Sequence, residues 1–148
     1  MRRILSKIIE SASEHGISSV VFLLGVDAAF YRSDNAKIYI GTDTSVDNIV
    51  SSFFHELGHH YMVLAGIYKK YHTNPTSCSL EYTIKVEREV DKMARDLMRS
   101  DPRFRNLRYR PSIYSRRDIR SYLRGYDQAV KDLTSKERVE AWSEVVRD

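Results

Sequence analysis

His55 and His59 stand four residues apart, with Glu56 beside the first, inside a stretch from Val46 to about Gly66 whose apolar spacing reads as one long helix. Residues four apart on a helix project from the same face. Two imidazoles so placed can reach one Zn²⁺ ion at about 2.0–2.1 Å. Glu56 lies near enough to take a proton from a water on that metal without being a ligand itself.

The faces of this helix constrain the fold further. Val46, Ile49, Val50, Phe53, Phe54, Leu57, Tyr61 and Leu64 make one broad apolar face. The opposite face holds Asn48, Ser51, Ser52, His55, Gly58, His59 and Met62, and no Lys, Arg or Glu of the kind a solvent-facing surface carries. The helix is therefore expected to be buried on one side and to face a cleft on the other. Gly58 would let a neighbouring segment come close.

A catalytic zinc site needs a third protein ligand and an open fourth position. A second long helix is expected from about Leu80 to Arg99, stopped by Asp101-Pro102. Its apolar arc runs through Tyr82, Val86, Val90, Met93, Ala94, Leu97 and Met98, and Glu87 and Asp91 fall inside that arc. A buried carboxylate is costly unless it is paired or binds a metal, which makes Glu87 the expected third ligand. Glu89 sits instead with Asp96 on a charged face among Lys85, Lys92 and Arg99, and His72 is the rival from outside the helix. Asp91, one turn after Glu87, is placed to accept the free ring N–H of a ligating histidine, or else to form a buried salt bridge with an arginine. His60 reads as a core or supporting histidine, and His15 as a surface residue.

Upstream, residues 2–15 show helical spacing, Ile17–Leu24 a buried strand, and Ala28–Arg32 with Lys37–Ile40 a hairpin about Ser33-Asp34-Asn35. Residues 67–79 read as a loop. Ser115-x-x-Asp118 and Thr134-x-x-Glu137 look like helix starts and predict short helices near 116–133 and 135–147. The result is an α+β chain: a domain over 1–100 and a basic helical C-terminal extension over 101–148, packed on or beside it.

His55-Glu56-x-x-His59 followed by Glu87-x-x-x-Asp91 resembles the gluzincin metallopeptidases, and most closely the small ImmA/IrrE-type peptidases. The likeness spans roughly residues 17–98, including Lys37–Ile40, the run Phe54–His59 and the helix around Glu87–Ala94. It implies a small zincin-like domain with a short β-sheet, an active-site helix and a third-ligand helix. It further implies one Zn²⁺ per chain on His55, His59 and Glu87, with Glu56 as general base and Asp91 orienting a histidine. The strand Lys37–Ile40 would then lie along the cleft and pair with an extended substrate. A second likeness, through the spacing of His59 to His72, is to SprT-like proteases, which use a third histidine and act on DNA-bound proteins.

The expected function is a zinc-dependent endopeptidase that cleaves an intracellular protein or peptide by Glu56-assisted attack of zinc-bound water. Tyr71, Tyr109, Tyr114 and His72 are candidate donors to the oxyanion. The competing reading is a catalytically idle, metal-binding regulatory or nucleic-acid-associated protein, and the intact Glu56 argues against it. Composition enters at two points. The single Cys78 excludes an internal disulfide, and no apolar run approaches a signal-peptide core or a membrane span, so a cytoplasmic location without membrane partners is expected. The net charge of +4 is concentrated between Arg103 and Arg124, where eight arginines face one acid, Asp118. With Phe104, Tyr109, Tyr114 and Tyr122 interleaved, that region suits nucleic acid as a partner; ion pairs with the acids of the first domain are the alternative.

Overall fold

The structure, a computed structural model, describes residues 1–111 and the backbone of residues 141–145. It is a small α+β domain. Helix α1 (Arg2–Glu14) is followed by strands β1 (Ser19–Leu23), β2 (Ala29–Arg32) and β3 (Lys37–Gly41). Helix α2 (Val46–Leu64), the short helix α3 (Lys69–Thr73), helix α4 (Leu80–Ser100) and strand β4 (Ala141–Val145) complete it. No helix among the described residues is long and apolar enough to cross a membrane.

The sheet has the order β2-β3-β1-β4. Strand β1 pairs in parallel with β3 and antiparallel with β4, and β2 closes an antiparallel hairpin onto β3. Alternation along the strands sorts their side chains to two faces. Val20, Phe22, Ile38 and Ile40 join α1 and α2 in one core, while Val21, Leu23 and Phe30 form a cluster of their own.

Helix α2 is the middle layer, and twelve of its nineteen residues are buried. Its apolar face meets the sheet and α1. Its other face meets α4, which buries Val86, Val90, Ala94 and Met98 against it. This explains the missing charges: the face expected to open on a cleft is packed against α4 along most of the helix. The closest approach is at Gly58, where an added Cβ would lie 3.1 Å from both Cγ1 and the carbonyl oxygen of Val90. Both helices begin on a serine cap. Ser45 Oγ accepts from the Asn48 N–H and Ser79 Oγ from the Tyr82 N–H, each at 3.2 Å.

Two expectations are corrected. A helix was expected over 135–147, but Ala141–Val145 is a strand. The capping pattern at Thr134 is a local signal, whereas this strand depends on a distant partner, the open edge of β1. The expected helix near 116–133 lies outside the described residues. The second correction concerns Lys37–Ile40. Strand β3 has β1 on one side and β2 on the other, so both its edges are consumed. The exposed edge on that side of the sheet belongs to β2.

The basic region also resolves in part. Asp101 is buried between α4 and α1, where it accepts from Ser11 Oγ at 2.8 Å and from the Arg103 N–H at 3.0 Å. The Arg103 guanidinium bonds Asp101, Glu10 and Glu14, pinning α1 to the end of α4. Arg110 pairs with Asp47 at 3.6 Å. The ion-pair reading therefore holds for these two arginines.

Candidate metal centre

Three donor atoms converge between α2 and α4. His55 Nε2 lies 2.8 Å from Glu87 Oε2, and His59 Nε2 lies 3.3 Å from the same oxygen. All three residues are buried, and together they form a cluster that can hold a metal ion. The 3.6-residue period places His55 above His59 on α2, and the tight contact at Gly58 brings Glu87 to them from α4.

The opposite ring nitrogens are each occupied. His55 Nδ1 lies 3.0 Å from Asp91 Oδ1; the carboxylate can only accept, so Nδ1 carries the proton. Behind His59 stands His72, with its Nε2 2.9 Å from His59 Nδ1. His72 Nδ1 lies 3.1 Å from the Tyr68 carbonyl, which also can only accept. Burial and the neighbouring His59 push His72 down to about 4, so the ring is neutral with its proton on Nδ1. Its bare Nε2 must then accept from His59 Nδ1–H. With Nδ1 engaged on both rings, Nε2 is the nitrogen that each histidine turns toward Glu87 and the one that would hold a metal ion there.

Two tyrosines extend the network. Tyr71 donates to Glu87 Oε1, and Tyr109 donates to Asp91 Oδ1 at 2.5 Å. Burial and the Asp91 charge hold the Tyr109 phenol well above its ordinary value, so it stays a donor. Burial opposes charge on His55, yet hydrogen bonds to Asp91 and Glu87 hold its pKa well above the usual imidazole range. Burial likewise opposes ionisation of Glu87, but the His59 and His55 rings beside it hold it well below the usual carboxylate range.

Glu56 is buried too, and burial raises its carboxyl above the ordinary value. Among the described residues nothing hydrogen-bonds that carboxylate.

The expected third ligand, Glu87, is the one brought to the histidines. Glu89 is exposed and bonded to the Tyr68 hydroxyl. His72 reaches the cluster through His59, as its support. Asp91 bonds His55 and Tyr109, and no arginine pairs with it among the described residues. Of the candidate oxyanion donors, Tyr71, Tyr109 and His72 are all engaged in holding the ligand set, and Tyr114 lies outside the described residues. These roles were missed because α3 is too short to show a period and Tyr109 lies in irregular chain. His60 accepts from the Tyr31 hydroxyl at 2.8 Å, tying β2 to α2. His15, expected at the surface, is half-buried against Tyr61.

Fold and site together define a small α+β domain with a buried two-histidine, one-glutamate cluster able to hold a metal ion. No protein-family model, curated protein or solved structure matches the chain.

Proposed function

We propose that this chain is a zinc-dependent peptidase whose metal ligands are His55, His59 and Glu87 and whose general base is Glu56. The observation that carries the reading is the pairing of a convergent donor set with a buried carboxylate beside it that has no hydrogen-bond partner among the described residues. Two imidazole nitrogens and one carboxylate oxygen are a donor set suited to catalytic zinc. A tetrahedral ion with bonds near 2.0–2.1 Å has donor-to-donor edges of about 3.3 Å; from Glu87 Oε2, His59 Nε2 lies at 3.3 Å and His55 Nε2 at 2.8 Å, so the second edge would open by about 0.5 Å to take the ion.

When bound, zinc acidifies water toward a pKa of about 7 and polarises a carbonyl. The chain's own residues supply the rest. Glu56, made more basic by burial, takes the proton of the attacking water at its carboxylate. It then delivers that proton to the departing amide nitrogen. Asp91 and His72 engage Nδ1 of the two imidazoles, so that with the metal bound Nε2 would be the ligating nitrogen.

The edge of β2 is where an extended substrate would add as a further strand. The Gly41 N–H donates to the Ala28 carbonyl at 2.6 Å. In the alternating ladder Phe30 therefore bonds inward to Tyr39, and the N–H and C=O groups of Ala29 and Tyr31 point out of the sheet.

The test is Glu56→Gln in the zinc-loaded full chain, assayed on a peptide library with wild type in parallel. Hydrolysis should fall by a factor of about 10²–10⁴, with about one zinc per chain retained. Full activity in the variant, or no zinc in wild type after supplementation, would overturn the reading.

A further inference from the structure

Beyond Asp91, Arg95 and Arg99 follow at four-residue steps along the last turns of α4, drifting from the buried side toward the exposed one. Across from these two, the chain after α4 brings Arg105, Leu107, Arg108 and Tyr109 to the same place, and a cavity of about 560 Å³ lies between. Four arginines line it, and no acidic residue does among the described residues. Arg103 and Arg110 are satisfied by acids, but Arg95, Arg99, Arg105 and Arg108 make no ion pair among the described residues. Four like charges around one concavity repel each other unless an anion sits among them, and the concavity focuses their field.

We propose that this cavity binds the phosphate backbone of a single-stranded nucleic acid. The planar guanidinium fork matches phosphate oxygens two at a time. Tyr109 and Leu107, half-buried against the core, also line the cavity as an apolar wall against which an unstacked base would rest, and the volume suits a nucleotide unit. An acidic peptide would use the same charge but has no need of an aromatic wall. Beyond the cavity the sequence continues basic, with Arg116, Arg117, Arg120 and Arg124 following Pro111, more cation than one small anion requires. The site is independent of the peptidase reading, since none of the four arginines belongs to the metal cluster. It does abut that cluster: Tyr109 lines the cavity and its hydroxyl bonds Asp91, which bonds His55.

The experiment is fluorescence anisotropy of a labelled oligothymidylate with the full chain across a salt series. Wild type is compared with a double Arg99→Ala, Arg105→Ala variant and a double Arg99→Lys, Arg105→Lys variant. If all four arginines meet phosphates, wild-type affinity should fall about 50-fold between 50 and 200 mM salt, from a slope near −0.7 per contact. The alanine variant should lose about 1.4 from that slope and bind roughly tenfold more weakly at low salt, and the lysine variant should recover most of both. Unchanged affinity and slope in the alanine variant would overturn the proposal, as would no oligonucleotide binding by wild type. Displacement of the oligonucleotide by equimolar inorganic phosphate or nucleoside triphosphate would reassign the cavity to a small anion. As a check on wild type alone, bound oligonucleotide should protect the four arginines from phenylglyoxal; unprotected arginines would refute the site whatever the variants do.

Discussion

His72 stands directly behind His59, its Nε2 2.9 Å from His59 Nδ1, and its own Nδ1 is held by the Tyr68 carbonyl. A residue that looked like a rival ligand instead supports one of the three that the proposal assigns to the metal. His72→Ala should therefore weaken zinc binding about 10–100-fold, the usual cost of losing such a partner, while the helical circular dichroism stays unchanged. Competition with a chromophoric chelator measures it; an unchanged affinity would show that the tautomer chain is not what orients His59.

Tyr109 acts one bond further out, through Asp91. Tyr109→Phe removes a single hydrogen bond worth roughly 0.5–1.5 kcal/mol, so its effect on metal affinity should stay at or below about tenfold. Asp91→Ala strips His55 of its partner and should cost more. The same chelator competition on both variants ranks them, and the reverse order would place the main support on the tyrosine.

Gly58→Ala separates stability from site geometry. An alanine gains about 1 kcal/mol of helix propensity over glycine, and crowding Val90 costs about 1–3 kcal/mol. The Cβ would meet a backbone oxygen at 3.1 Å, which moves only if α4 moves. The net loss of about 0–2 kcal/mol should lower the thermal unfolding midpoint by no more than several degrees, whereas zinc affinity should fall about tenfold or more because Glu87 shifts with α4. Equal, full zinc affinity would mean that the helix spacing has slack.

Ala29→Pro tests the edge of β2. Proline is tolerated where the N–H points out of the sheet, so the fold and the zinc content should survive. One substrate hydrogen bond would be lost, and kcat/KM on a peptide substrate should drop about 2–10-fold. A variant with wild-type kinetics would remove β2 as the substrate's partner.

His15 predicts an acid sensitivity apart from the metal. Burial lowers its pKa from 6.5. The unfolded chain thus takes up a proton that the folded chain resists, so stability is complete above about pH 6.5 and declines as pH falls below it. Urea midpoints at pH 7.5 and 5.5, taken with chelator present, should differ less in His15→Gln than in wild type. An identical difference in both would rule out His15 as a source of the loss.

Much of the site was legible because it is written at helical spacing. His55 with His59, and Glu87 with Asp91, are each one turn apart, and the caps Ser45 and Ser79 lie beside the helices they start. Turn geometry and capping are local physics, carried by neighbours in the chain. The buried arc of α4 separated Glu87 from Glu89 for the same reason. What the tertiary structure alone decided lies between distant segments. It made β2 rather than β3 the exposed edge, turned Ala141–Val145 into a strand on β1, and set His72 behind His59 and Tyr109 on Asp91. It also divided the arginines, fixing Arg103 to acids and leaving four others around one cavity. Those outcomes depend on which open edge or unsatisfied polar group is nearest once the layers close, and no periodicity along the chain encodes that distance.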